Sequence, residues 1–261
     1  MKIHRLFIAI TFALSPAILD AQEVSIGNDD DKPIEERIIY NREQSMHATL
    51  NSRGLGAGFE FGNIRDIHTT TYWDFEASYL RAQKQIKLWS GTGLSTTSFV
   101  YGKLNEAVLL KGGYKVEKRI FGKPSWNNGV ELRWLYGAGA ILAVLKPYYY
   151  TVIVIVPTST GEYTQEIDYQ TFDNESQWAG ILGRAPFKYG LDEIALRPGL
   201  YAKGGMSFEI GRSQTKVQAV EFGAEVEGYP IGLNLMDENP SEHFIFTLYL
   251  SYRWGSRYNK Y

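Results

Sequence analysis

The chain has 261 residues and contains no cysteine, which excludes disulfide bonds and a cysteine nucleophile. Its formal charge of −2 is too close to zero to favour binding to nucleic acid. Aromatic residues make up 14% of the sequence, with 18 tyrosines, and the length suffices for one large β domain.

Residues 1–21 have the pattern of a secretory signal peptide. Lys2 and Arg5 form a short basic region, the apolar run "LFIAITFALSPAIL" follows, and "DAQE" offers a cleavage site after Ala21. The run is too short for a transmembrane helix, and no later apolar stretch is long enough to span a bilayer as a helix. We therefore expect an exported mature chain that begins at Gln22.

Residues 22–44 are polar and charged, with neither helical nor strand periodicity, so we expect a mostly extended periplasmic tail. The acidic run at 29–31 lacks the spacing and the glycine of a calcium-binding loop. A solvated acidic surface is the better interpretation of this run, and the sequence predicts no metal or cofactor site.

Eight later segments alternate between apolar and polar residues with the period of a β-strand. They cover residues 45–52, 54–64, 70–82, 100–118, 127–145, 193–210, 215–229 and 243–255. The connections after the second, fourth and sixth segments are short, whereas those after the third, fifth and seventh are longer. This alternation is typical of outer-membrane barrels, which have short periplasmic turns and long extracellular loops. The sequence therefore predicts an all-β fold, a closed antiparallel transmembrane barrel of eight strands over residues 45–255, with a C-terminal tail at 256–261.

The last segment, "HFIFTLYLSYRWG", alternates almost without fault. In a soluble lipocalin-like barrel its apolar face would point into the core, whereas in a membrane barrel it would point to lipid. Long strands, aromatic residues near strand ends and glycines among the polar positions favour lipid. We therefore expect the following residues to face lipid: Phe244, Phe246, Leu248, Leu250, Tyr252 and Trp254.

The polar faces of the predicted strands carry charges of both signs. Eight strands enclose an interior just wide enough to be filled by side chains, and buried charges must pair. The sequence therefore predicts an ion-pair plug formed by Glu131, Arg133, Arg197, Lys203, Glu221, Glu225 and Arg253. A narrow passive pore for ions or small solutes is the alternative, but no ring of charges of one sign favours it.

An enzymatic role in lipid modification is a weaker alternative. His47 lies on a polar face and is the best candidate for a catalytic base, but no G-x-S-x-G or H-E-x-x-H motif occurs. A histidine in the barrel interior, bonded to a neighbouring carboxylate, is the favoured interpretation. We predict no catalytic residue, and a structural or protein-interaction role.

The longest connection, residues 146–192, contains "YYYTVIVIVP" and "EYTQEIDYQTF", which together resemble a hairpin. This hairpin could cap the barrel mouth, dock another protein, or join the wall to give ten strands. Capping is favoured, because an apolar strand left in water is an aggregation risk.

Taken together, these features resemble the small outer-membrane β-barrel proteins of Bacteroidota-type Gram-negative bacteria. The resemblance rests on the signal peptide ending in "AQE", the eight amphipathic strands and the aromatic final strand "FTLYLSYRWG". That strand is similar to the C-terminal signal that the barrel-insertion machinery recognises, although "SRYNKY" continues past Trp254. The resemblance implies a location in the cell outer membrane, contact with outer-membrane lipid and lipopolysaccharide, and insertion by that machinery.

Overall fold

The structure, a computed structural model, describes residues 40–259 apart from positions 84, 90–96, 124–128, 158–162, 173–179, 212 and 238. The predicted signal peptide and nearly all of the predicted N-terminal tail lie outside the described residues. Among the described residues, no helix is long and apolar enough to cross a membrane.

Strands dominate the described part of the chain. Their bounds are β1 Arg42–Asn51, β2 Gly54–Ile64, β3 Thr69–Leu80, β4 Lys87–Trp89, β5 Ser98–Val100, β6 Asn105–Phe121, β7 Glu131–Pro147, β8 Tyr149–Pro157, β9 Tyr163–Thr171, β10 Gly180–Arg184, β11 Ala195–Glu209, β12 Lys216–Leu233 and β13 Glu242–Tyr258.

Eight of these strands form one closed barrel in the order β1-β13-β12-β11-β7-β6-β3-β2, and every neighbouring pair is antiparallel. The predicted closed eight-stranded barrel is therefore confirmed. Following partner residues once around the wall from Leu248 returns to Tyr258, ten residues further along β13. This shear of ten residues over eight strands corresponds to a strand tilt of about 40°.

The two ends of the barrel differ in the length of their connections. The end that holds Arg42 and Tyr258 is called the terminal end here, and the opposite end is called the loop end. The connections at the terminal end are short and cover residues 65–68, 122–130 and 210–215. The connections at the loop end cover residues 52–53, 81–104, 148–194 and 234–241. Those at 81–104 and 148–194 are longer than every connection at the terminal end, whereas the one at 234–241, which the sequence predicts to be long, is slightly shorter than the one at 122–130.

The barrel extends beyond its predicted limits of 45 and 255. β1 begins at Arg42, inside the predicted N-terminal tail, and β13 continues to Tyr258, inside the predicted C-terminal tail. The physical reason is an ion pair inside the barrel, where Arg257 Nε lies 3.0 Å from Glu43 Oε2. Both side chains face a charged interior, so polar residues at these positions do not mark strand ends.

The connection at 148–194 forms a separate sheet in the order β10-β8-β9, which we call the outer sheet. β8 and β9 pair over their whole lengths, so the predicted hairpin is present. Within the described residues neither strand pairs with a barrel strand, and the ten-stranded alternative is therefore wrong. A second small hairpin, β4–β5, forms in the connection at 81–104.

Apolar side chains fill the interior near the loop end. This cluster contains Leu80, Ala82, Ala107, Leu109, Ile141, Ala143, Leu145, Tyr201, Tyr229, Leu233, Leu235 and Ile245. The run "AILAVL" in β7 places apolar residues on both faces of that strand, so the inner face changes from charged to apolar along the barrel axis. The predicted ion-pair plug therefore does not extend to the loop end, where the interior is apolar.

Candidate functional site

The barrel wall is apolar outside and charged inside. The six residues predicted to face lipid lie on the outer surface of β13, with 40–81% of each side chain exposed. Between them, Thr247, Ser251 and Arg253 point inward and are at most 4% exposed. A soluble lipocalin-like barrel has the opposite arrangement, with its apolar face turned inward.

The same polarity holds around the whole wall. Exposed large apolar residues occur on the outer face of every barrel strand, among them Met46, Leu50, Phe59, Trp73, Phe75, Leu110, Trp134, Tyr136, Leu196, Leu200, Phe222 and Val226. Soluble monomers rarely expose a contiguous apolar patch larger than a few hundred Å². A belt of this extent marks a surface that contacts something other than water.

Inside the barrel, the half nearer the terminal end holds a network of ion pairs, which we call the terminal-side cluster. Its carboxylates are Glu43, Glu60, Glu117, Glu131, Glu209 and Glu221, and its cations are Lys115, Arg119, Lys123, Arg133, Arg253 and Arg257. The N···O distances run from 2.6 to 3.8 Å. Among the described residues the two signs are equal in number, so the cluster is neutral as a whole.

Arg253 on β13 is the centre of the terminal-side cluster and is 1% exposed. Its guanidinium lies 3.4 Å from Glu43 and 3.3 Å from Glu60. It also lies 3.0 Å from both Glu117 and Glu221. These carboxylates come from β1, β2, β6 and β12, so one side chain connects five strands of the barrel.

The next layer toward the loop end is a second group of charges, the loop-side cluster, made of His47, Asp74, Glu76, Lys111, Lys203, Glu225 and Glu227. Lys203 pairs with Asp74, and Lys111 pairs with Glu225 and, at 2.9 Å, with Glu227. Lys111 also lies 3.7 Å from Glu76. This cluster holds four carboxylates against two lysines.

His47 connects the two clusters. Its Nδ1 lies 3.5 Å from Glu60, and its Nε2 lies 3.3 Å from Glu76 and 3.9 Å from Asp74. The ring extends over Gly58 of β2, where a Cβ atom would come within 2.6 Å of two ring atoms. Glycine at this position therefore makes room for an imidazole that reaches from β1 to β3.

The outer sheet is buried on one face of β8, whereas both faces of β9 are largely exposed. On the buried face, Tyr150 and Val152 are fully buried in a cluster with Phe99. Elsewhere on the two strands, Ile155, Tyr163 and Ile167 are 54–77% exposed. The sheet thus packs against the β4–β5 connection and also presents an exposed apolar face. This arrangement is compatible both with capping of the barrel mouth and with docking of another protein.

Lys103, in the connection before β6, lies at the loop end. Its ammonium donates to Tyr79 Oη at 3.2 Å and lies 3.5 Å from Glu106. Burial lowers the pKa of Lys103, and the nearby Glu106 carboxylate opposes this effect. The Lys103 side chain is thus held at the loop end by a tyrosine hydroxyl and a carboxylate.

No protein-family model matches the chain, and no curated protein matches it. Three solved structures with detectable similarity contain β-barrel or surface proteins of bacteria. The N-terminal β-barrel domain of Pseudomonas aeruginosa OprF is 10% identical, with 83% of this chain and 98% of that chain covered and a TM-score of 0.34. Ail, the attachment invasion locus protein of Yersinia pestis, is 10% identical, with 83% and 96% covered and a TM-score of 0.34. Neisserial surface protein A is 9% identical, with 83% and 96% covered and a TM-score of 0.36. At such low identity and TM-score, these similarities carry no argument about function.

The structure brings together most of the residues predicted to form the plug. Glu131, Arg133, Glu221 and Arg253 lie in the terminal-side cluster, and Lys203 and Glu225 lie in the loop-side cluster. Arg197 belongs to neither: it is only half-buried, and its Nε has no hydrogen-bond partner among the described residues. Its β7 neighbour is Ala143, within the apolar cluster, so no carboxylate partner is placed opposite it.

Several cluster residues were not predicted. Glu43 and Arg257 were assigned to tails, although the alternation of β1 and β13 continues through both. Glu60, Glu117 and Glu227 lie on the inner faces of β2, β6 and β12, and each continues a period-two polar series. Extending that series to the strand ends identifies Glu43 and Arg257, whereas Glu60, Glu117 and Glu227 already lie within the predicted segments.

Proposed function

We propose that this protein is an outer-membrane β-barrel with a structural or protein-interaction role and an interior filled by side chains. The observation that carries the proposal is the inverted polarity of the wall, in which ions are buried and large apolar residues are exposed. In hydrocarbon this arrangement solvates the apolar face and keeps every backbone hydrogen bond of the closed sheet satisfied. In water it would expose the apolar belt and bury charges at a cost.

The proposed orientation places the terminal end in the periplasm and the loop end outside the cell. The two longest connections, residues 81–104 and 148–194, both lie at the loop end, and this supports the assignment. Outer-membrane lipid, with lipopolysaccharide in the outer leaflet, would then surround the apolar belt. The export signal, the Bacteroidota-type origin and the use of the barrel-insertion machinery rest on the sequence pattern.

Fractionation of cells that produce the full chain tests the location. We expect the protein in the outer-membrane fraction, with a folded form that migrates differently from the boiled form on a denaturing gel. Recovery of the mature chain as a freely soluble periplasmic protein would contradict the proposal.

The packing of the interior favours a closed barrel over a pore. Arg253, Tyr72 and Lys115 are each at most 1% exposed and occupy the cross-section at the terminal-side cluster. We expect no conductance steps from the purified protein in planar bilayers. Stable unitary steps from wild-type protein would support the alternative of a narrow pore.

We propose no catalytic activity. The ring nitrogens of His47 approach carboxylates, and among the described residues neither forms a hydrogen bond with a hydroxyl group. A base without a nearby nucleophile lacks the geometry of hydrolytic catalysis. An unchanged lipid A and phospholipid profile in a His47→Ala strain is the expected result, and an altered profile would favour the enzymatic alternative.

The outer sheet is the proposed docking element, and its proposed occupant is an extended basic segment of another protein. β9 is an edge strand of this sheet, and exposed strand edges recruit a further strand. β8 and β9 contain the carboxylates of Glu166 and Asp168 and no basic residue. Charge complementarity therefore favours a basic partner segment.

Photocrosslinking from Ile167, with a crosslinker at Trp73 in the lipid-facing belt as the control, tests this docking. We expect a protein adduct from Ile167 that disappears in the charge-reversed variant Glu166→Lys/Asp168→Lys. Adducts with lipid alone from both positions, or a protein adduct unaffected by charge reversal, would contradict the docking proposal.

A further inference from the structure

The two ion clusters differ in their charge balance. Among the described residues, the terminal-side cluster has six carboxylates and six cations, whereas the loop-side cluster has four carboxylates and two lysines. With a neutral His47, the loop-side cluster therefore carries two excess negative charges. Uncompensated charge is costly where side chains are buried, so a bound cation or added protons must balance this layer.

Besides hydroxyl oxygens such as Tyr249 Oη, three buried atoms of charged or imidazole side chains in this layer have no hydrogen-bond partner among the described residues. They are His47 Nδ1, Asp74 Oδ1 and Glu76 Oε1. Lys203 binds the other oxygen of Asp74, so the unpartnered Oδ1 is available to a second cation. An unsatisfied buried polar atom costs about 1–3 kcal/mol, so a cation bound within reach of these atoms would stabilise this layer.

These side chains also have the spacing of a metal-binding group. One ligand atom from each of His47, Glu60 and Asp74 lies within 4.8 Å of the other two, and all three residues are buried. A cavity of about 10 Å³, the space for one water molecule or ion, lies beside this group and is lined by His47, Glu60, Glu76 and Glu225. Lys203 also lines it, whereas Asp74, the ion-pair partner of Lys203, does not. The imidazole can occupy this position because residue 58 is a glycine, and a side chain there would collide with the ring.

We propose that the loop-side cluster binds one divalent transition-metal ion, with an imidazole nitrogen of His47 and carboxylate oxygens of Asp74 and Glu60 as ligands and Glu76 beside them. One nitrogen and several carboxylate oxygens suit Zn²⁺, Mn²⁺, Fe²⁺ or Co²⁺ better than Ca²⁺ or Mg²⁺, which prefer oxygen ligands only. A charge of +2 neutralises the cluster without protonating His47. The sequence predicts no metal site, because the three ligands lie on three different strands and form no motif.

Metal stoichiometry of the full-length protein in detergent tests the proposal. The protein is treated with a chelator, incubated with Zn²⁺ or Co²⁺, desalted and analysed by elemental mass spectrometry, and the Co²⁺ absorption spectrum reports nitrogen and oxygen ligation. We expect about one metal ion per chain for the wild type. For His47→Gln and for Asp74→Asn we expect the affinity to fall by about ten-fold or more.

His243→Gln is the matched control. His243 lies on β13, where its Nδ1 is 3.1 Å from the Tyr229 carbonyl oxygen, outside the ion clusters. We expect this variant to bind metal as the wild type does. Wild-type protein without bound metal would overturn the proposal and would identify protons on His47 and a carboxylate as the compensating charges. Equal binding by the wild type and His47→Gln would also overturn it, even if Asp74→Asn failed to fold.

Discussion

Removal of the Arg253 guanidinium is the perturbation with the largest expected effect on barrel stability. Arg253 lies within 3.4 Å of four buried carboxylates from four other strands. In Arg253→Ala, the six carboxylates of the terminal-side cluster would face five cations. The free energy of unfolding should therefore fall by about 3–5 kcal/mol, the usual result of removing one partner from a buried ion pair.

The same variant should depend on pH in a defined direction. Protons neutralise the carboxylates that Arg253 no longer balances, so the folded variant would take up more protons than the unfolded chain. Its stability relative to the wild type should therefore fall as the pH rises from about 4 to about 7. A second substitution, Glu221→Gln, should recover part of the loss because it removes one of the excess negative charges.

Urea-induced unfolding in phospholipid vesicles measures these effects, with tryptophan fluorescence and the gel shift of the folded form as independent probes. Arg65→Ala is the control, since Arg65 is an exposed arginine in the turn between β2 and β3. The control should change the free energy of unfolding by no more than about 0.5 kcal/mol. If Arg253→Ala behaved like Arg65→Ala, the terminal-side cluster would not hold the barrel together.

Three further predictions concern the wall and a turn. Leu248→Arg should lower the free energy of unfolding in vesicles by about 2–4 kcal/mol, whereas Ile67→Arg in an exposed turn should change it by no more than about 0.5 kcal/mol; equal effects would contradict a lipid-facing position for Leu248. Gly139→Val should lower the free energy of unfolding by about 1–3 kcal/mol in the same assay, because a Cβ there would lie 2.5 Å from the Gly113 Cα. An unchanged unfolding midpoint would show that the two strands can move apart to make room. Two backbone N–H groups of its own turn lower the pKa of Asp66, so Asp66→Ala should reduce stability at neutral pH. That difference should vanish as the pH falls through the lowered pKa, and a difference that persists in acid would contradict it.

The sequence predicts the barrel well because each wall strand has an apolar outer face and an inner face that is polar over the length of the two ion clusters. β13 shows this most clearly, with Phe246 and Leu248 outside and Thr247 and Ser251 inside. The strand ends are less predictable, since Glu43 faces a charged interior and looks like part of a polar tail. Local alternation identifies which side of the wall a residue occupies, and it says little about where the wall ends.

Which charges meet inside the barrel could not be predicted from alternation. Arg253 and Glu117 lie on strands that are not neighbours, and they meet only because the interior is narrow. Arg197 lies on the same face of β11 as Lys203. It is nearer the loop end, however, where the interior is apolar. The shear of the sheet determines these heights, and it depends on all eight strand pairings together.

The most direct test of the central claim is the environment of alternate positions along β13. The chain contains no cysteine, so single substitutions such as Phe246→Cys or Thr247→Cys accept one spin label each. In lipid vesicles, labels at Phe246, Leu248 and Leu250 should be reached by oxygen dissolved in the bilayer and protected from a water-soluble nickel complex, and labels at Thr247 and Ser251 should be protected from both. Free access of the nickel complex to Phe246, Leu248 and Leu250 would contradict the claim that this face of the barrel is solvated by lipid.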